Sequence, residues 1–79
     1  MIKVRILNLK SFLETVNRCQ GRVMVLSPDG GKTNITRQYE MQRKMGEQYR
    51  KNGKCLPLSL TFDEPKDYLA VVSWYAGDC

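Results

Sequence analysis

No histidine occurs anywhere in the 79 residues. The usual neutral-pH general base and the imidazole member of a nucleophilic triad are therefore both missing. Eight carboxylates remain. Asp29, Glu40, Glu47 and Glu64 fall in turn, exposed-helix or cap contexts that account for them. Asp63, Glu64 and Asp67 cluster as a metal patch would, but a helix N-terminus attracts acidic residues for its own electrostatic reasons. Gly30-Gly31-Lys32-Thr33 matches the tail of a phosphate-binding loop. The rest of that loop's glycine spacing is absent, and a strand rather than a helix follows. Cys19, Cys55 and Cys79 are odd in number and widely spaced, which argues against a disulfide framework or a zinc site. Cys19 and Cys55 read as small buried apolar side chains, and Cys79 as an exposed thiol without a role. No enzyme, cofactor or metal is expected. What remains is the chemistry of contact.

Thirteen Lys and Arg residues give a net charge of +5, which favours an anionic partner. Arg37, Arg43, Lys44, Arg50 and Lys51, with Lys54 just beyond, fall in one arc of a predicted middle helix. Glu40 and Glu47 share that arc and dilute it. Two readings follow: a solvated, ion-paired face, or a face that binds a polyanion or a partner. Single-strand nucleic-acid binding would also need exposed stacking aromatics. Tyr39 alone looks free, because Phe12, Phe62, Tyr68 and Tyr75 fit core positions.

The elements that must position these residues follow from changes of apolar period. Ile2, Val4 and Ile6 alternate with Lys3 and Arg5, predicting a strand over 2–7. Leu9, Phe12, Leu13, Val16 and Cys19 recur at helical spacing, capped by Asn8 or by a Ser11–Glu14 capping box. Gly21 is expected as a left-handed stop. Val23-Met24-Val25-Leu26 and Lys32-Thr33-Asn34-Ile35 flank a Pro28-Asp29-Gly30-Gly31 turn, with the second strand at an edge. Thr36 is the expected N-cap of a helix reaching about Lys51, with Met41, Met45 and Tyr49 as its buried stripe. Glu40–Lys44 and Glu47–Lys51 would add about 0.2–0.5 kcal/mol each as i,i+4 pairs. Asn52-Gly53 ends that helix. Residues 55–62 alternate strictly, with Pro57 beside an edge or at a bulge. Asp63-Glu64-Pro65 opens a final helix whose apolar face is Tyr68, Val71, Val72 and Tyr75, widened by Leu69, Trp74 and Ala76.

This order, βαββαβα, predicts one α+β domain over residues 1–79: an open-faced sandwich with a four-stranded, mostly antiparallel sheet and helices on one face. No segment is long and apolar enough to span a bilayer, and the first residues lack a signal peptide's apolar core, so a cytoplasmic location is expected.

The layout resembles the histidine-containing phosphocarrier (HPr) family of sugar transport systems. Gly30-Gly31-Lys32-Thr33-Asn34-Ile35-Thr36-Arg37 looks like that family's second hairpin strand entering its middle helix. Leu58-Ser59-Leu60-Thr61-Phe62, followed by Glu64 and Asp67, looks like its last strand and helix. The chain is more similar still to short HPr-like proteins that lack the phosphocarrier site. In the family a histidine after the first strand carries phosphate; here Ile6-Leu7 runs straight into Asn8-Leu9-Lys10-Ser11. The family's regulatory serine falls at Arg37 or, one residue earlier, at Thr36. Phosphocarrier activity therefore does not transfer, and a degenerate carrier phosphorylated on Ser11 or Thr36 is a third reading. The resemblance implies that the first two helices begin near one another. Asn8, Lys10, Ser11, Thr36 and Arg37, with Lys44 nearby, would then ring a surface that docks partner proteins. The expected function is a non-enzymatic binding or regulatory module acting through protein contact. The alternative is a basic module that binds nucleic acid, or inhibits a nucleoprotein complex, through Arg37, Arg43, Lys44, Arg50, Lys51 and Lys54.

Overall fold

The computed structural model describes residues 2–78; Cys79, expected as an exposed thiol, lies outside the described residues. The elements are β1 (Ile2–Ile6), α1 (Leu9–Asn17), β2 (Val23–Leu26), β3 (Lys32–Asn34), α2 (Tyr39–Lys51), β4 (Leu56–Phe62) and α3 (Pro65–Asp78). Their order is the expected βαββαβα. The four strands form one sheet in the order β1-β4-β2-β3, and every neighbouring pair is antiparallel.

Strict alternation sorts the sheet into two faces. Val4, Ile6, Val23, Leu56 and Leu60 are buried on one side, beneath Leu9, Phe12, Val16, Met45, Val71 and Trp74 from the three helices. Lys3, Arg5, Met24, Leu26, Lys32, Pro57, Ser59 and Thr61 occupy the other side, and none of them is buried. Phe12 is fully enclosed and packs its ring against Trp74, with centroids 5.5 Å apart. Such enclosure of a large aromatic contributes about 1.5–3 kcal/mol, which matters in so small a domain.

The register explains why the two central strands part. β2 pairs β4 from Val23↔Phe62 to Val25↔Leu60 and then stops. Continued three residues further, past Leu26 and Ser27, the same register would set Pro28 opposite Pro57. Neither residue has an N–H, so the ladder cannot be extended there. The first half of β4 is thus paired only with β1, and Pro57 sits on a local edge as its chemistry requires.

Capping follows the sequence in part. Asn8 caps α1, its Oδ1 accepting from the Ser11 amide at 3.2 Å, so the earlier of the two candidate starts is the one used. α2 ends in a Schellman motif. The Gly53 N–H donates to Arg50 O and the Lys54 N–H to Tyr49 O, with Gly53 at φ 72°. Gly53→Ala should cost about 1 kcal/mol, although open space surrounds the position, because the penalty lies in the left-handed backbone. Urea unfolding at constant m-value would measure it.

Three local expectations are corrected. Gly21 is not a left-handed stop: α1 already ends at Arg18, and Gly21 is needed for close approach. A Cβ there would lie 2.8 Å from Glu64 Cγ and 3.2 Å from Asp67 Oδ2. Thr36 does not cap α2. The N-cap is Gln38, which makes no side-chain cap bond, and Thr36 is interior. The buried face of α3 is Asp67, Val71 and Trp74, rotated from the expected stripe; Tyr68 and Leu69 are exposed. Tyr68 covers Phe62 edge-on at 5.6 Å, while the Tyr75 hydroxyl accepts the outward-facing Arg5 amide of edge strand β1 at 3.0 Å. That contact stops β1 from offering its edge at this point.

Candidate partner-binding surface

Helix directions decide which predicted residues can act together. β1 and β2 both run against β4 and so run parallel to each other, which sets α1 antiparallel to them. The hairpin then reverses the chain, so α2 runs against α1. Contacts along the seam agree: Asn17, at the end of α1, meets Gln42, and Tyr49, near the end of α2, donates to the Leu7 carbonyl before α1. The starts of α1 and α2 therefore lie at opposite ends of the seam. The expected ring of Asn8, Lys10, Ser11, Thr36 and Arg37 does not assemble.

At the start of α1, Asn8 is engaged in capping. Ser11 is half-buried and accepts from Trp74 Nε1 at 2.7 Å, and Lys10 is exposed. At the start of α2, Thr36 is buried. Its hydroxyl accepts the Val23 N–H at 2.7 Å, and its own N–H reaches Asn34 Oδ1. Arg37 acts as a strap. Its backbone, at φ 57°, donates to Asn17 Oδ1, and its guanidinium reaches Cys19 O at 2.8 Å and Asn17 O at 3.4 Å. A cation on the last carbonyls of α1 suits that helix's negative end.

A second strap lies beside it. The buried Asp67 carboxylate accepts from the Gln20 N–H at 3.1 Å and the Gly21 N–H at 2.7 Å, fixing the α1–β2 loop to the first turn of α3. Asp63 pairs with Arg22 at 2.6 Å on the surface. Two of the three acidic residues, Asp63 and Asp67, thus have structural tasks, and no metal-ligand cluster forms among the described residues. Burial pushes the Cys19 thiol up to about 11, and the neighbouring Asp67 adds to the effect. The neutral thiol's contribution to stability is complete below pH 9 and is lost as pH rises toward 11. Alkylation at pH 8 should consume the half-buried Cys55 before Cys19 and leave Cys19 slower by about 100-fold, measured by mass spectrometry on the folded protein.

What remains exposed is the outer side of α2. Arg43, Lys44, Arg50, Lys51 and Lys54 all face solvent. Neither Glu40–Lys44 nor Glu47–Lys51 closes to an ion pair, so these lysines are not committed to neighbouring carboxylates. Tyr39 is 70% exposed, more than any other large apolar or aromatic side chain described. It lines a cavity of about 490 Å³ together with Thr33, Arg37, Glu40, Met41 and Lys44. Of the predicted binding residues, Arg37 and Lys44 are thus brought together here, joined by Tyr39. Residue type and spacing alone leave Tyr39 unburied but do not place it on a docking surface. No protein-family model, curated protein or solved structure matches the chain.

Proposed function

We propose that this protein is a non-enzymatic binding module, built on an HPr-like order of elements, that docks a partner protein at the start of α2. The observation that carries the reading is the solvent-exposed ring of Tyr39 beside Arg37 and Lys44 at a shallow cavity. Aromatic and arginine side chains around a pocket are the usual anchors of protein interfaces. The strap that holds Arg37 against α1 gives the patch a fixed shape, which lowers the ordering cost of binding. With no imidazole in the chain, group transfer in the manner of the carrier family is not part of the reading.

Arg37 is a poor choice for mutation, because its loss would loosen the fold. Tyr39→Ala and Lys44→Glu touch only exposed atoms. Each should weaken capture of the cellular partner about tenfold while leaving the melting temperature in place. Equal capture by both variants would remove α2's start as the docking surface. The competing nucleic-acid reading predicts a gel shift that weakens steeply as salt rises. The face where a single strand would stack holds no aromatic residue among the described strands.

A further inference from the structure

The open face of the sheet is a second, independent surface, and its register gives it a definite chemistry. One row across it reads Lys3, Ser59, Leu26, Lys32: Lys3 pairs with Ser59, and Leu26 with Lys32. Met24 and Pro57 extend the apolar centre along the strands on either side of Leu26. The strand residues of this face include no carboxylate. Beyond the strands, Asp63 is paired with Arg22, and Asp29 lies in the hairpin turn, where it accepts from the Gly31 N–H and the Ser27 hydroxyl.

Strands lie about 4.8 Å apart, so Lys3 and Lys32 rise from edge strands about 14 Å apart, with the apolar strip between them. An α-helix with its side chains is about 10–12 Å across. It fits between the two lysines, along the strands, with one stripe on Met24, Leu26 and Pro57. Where Pro28 and Pro57 force β2 and β4 apart, a cavity of about 640 Å³ opens, lined by Lys3, Leu26, Pro57 and Ser59 and reaching Val25 and Leu58. It offers a seat for one large apolar side chain.

We infer that the open face docks an amphipathic helix of an acidic partner protein, its apolar stripe on Met24 and Leu26 and its flanking carboxylates against Lys3 and Lys32. Two such faces would bring like charges together, so face-to-face pairing with a second copy of this chain is disfavoured, and an acidic helix matches the lysines instead. The lack of aromatic side chains disfavours nucleic acid. The surface is distinct from α2, which packs on the opposite side of the sheet.

The methionines supply the assay. Met24 lies on the open face, whereas Met41 and Met45 lie on the helix side. The probe is a synthetic helix of about 15 residues, long enough at 1.5 Å per residue to cover β4, with a leucine stripe flanked by glutamates. Titrated into protein carrying ¹³C-methyl methionine, it should shift the Met24 signal saturably and leave Met41 and Met45 in place. Lys3→Glu combined with Lys32→Glu should weaken binding about tenfold, and Leu26→Ser should reduce it independently. An unmoved Met24, or an equal shift from a scrambled peptide, polyglutamate or a single-stranded oligonucleotide, would overturn the inference. A shift confined to Met41 would do the same while leaving the α2 surface intact.

Discussion

Replacing Asp67 with alanine should lower the stability of this domain by about 3 kcal/mol. The carboxylate is 5% exposed and accepts two backbone amides, Gln20 at 3.1 Å and Gly21 at 2.7 Å. Hydrogen bonds to a charged acceptor contribute about 1.5–3 kcal/mol each, and the alanine variant leaves both donors to find water at a crowded junction. The loss is not confined to one element. The loop held by Asp67 joins α1 to the central strand β2, so its release loosens α3, α1 and the sheet together. A domain of this length has about 4–12 kcal/mol in total, so the variant should melt roughly 12–24 °C lower. Asp67→Asn keeps one acceptor oxygen and should recover part of the loss. Cys19 gives an independent readout: without the neighbouring carboxylate its thiol should titrate lower, because one of the two groups of causes holding it up is gone, while burial remains. Unchanged melting in Asp67→Ala would show that water replaces the carboxylate without cost.

How far apart cooperating residues lie along the chain decides what could be read before folding. Features encoded within a few residues were legible: the alternation of β1 and β4, the Asn8 cap, the Pro28–Gly31 turn, and the Asn52-Gly53 stop. Those that depend on pairing across the chain were not. Thr36 has the residue type and position of an N-cap, yet its hydroxyl is needed 13 residues earlier in sequence, at Val23. Arg37 reads as a free cation on a basic arc until α1's end is placed beneath it. For α3, attention to apolar residues alone concealed the real stripe: Asp67, Val71 and Trp74 stand at i, i+4 and i+7, and that spacing had already put the carboxylate inside. The relative direction of α1 and α2 was also accessible in principle, since strand polarity fixes it once the pairing is known. The resemblance to a carrier family supplied a helix arrangement instead, and that arrangement does not hold here. The candidate surface changed accordingly, from a ring around two helix starts to a patch at one of them.

Thr36 supplies the sharpest test of that change. If it were a surface cap or a modification site, Thr36→Val would cost little, and a kinase could reach it. In the fold it is 3% exposed, and its hydroxyl is the acceptor for the first amide of β2, at 2.7 Å. Valine has the same shape without the oxygen, so the Val23 N–H would be left buried and unpaired. That situation costs about 2 kcal/mol, the desolvation of the donor rather than the net value of one hydrogen bond. Thr36→Ser keeps the acceptor and forfeits one methyl group, about 1 kcal/mol or less. The order wild type, then serine, then valine in denaturant midpoint is therefore the expected result. Hydrogen exchange should single out the Val23 amide as the site whose protection collapses in the valine variant alone. The reverse order, with valine more stable than serine, would mean that apolar packing rather than the buried acceptor decides this position. The same geometry closes the phosphoryl reading of Thr36: a phosphate there would have to displace the residue from the core, and β2 would lose its first partner.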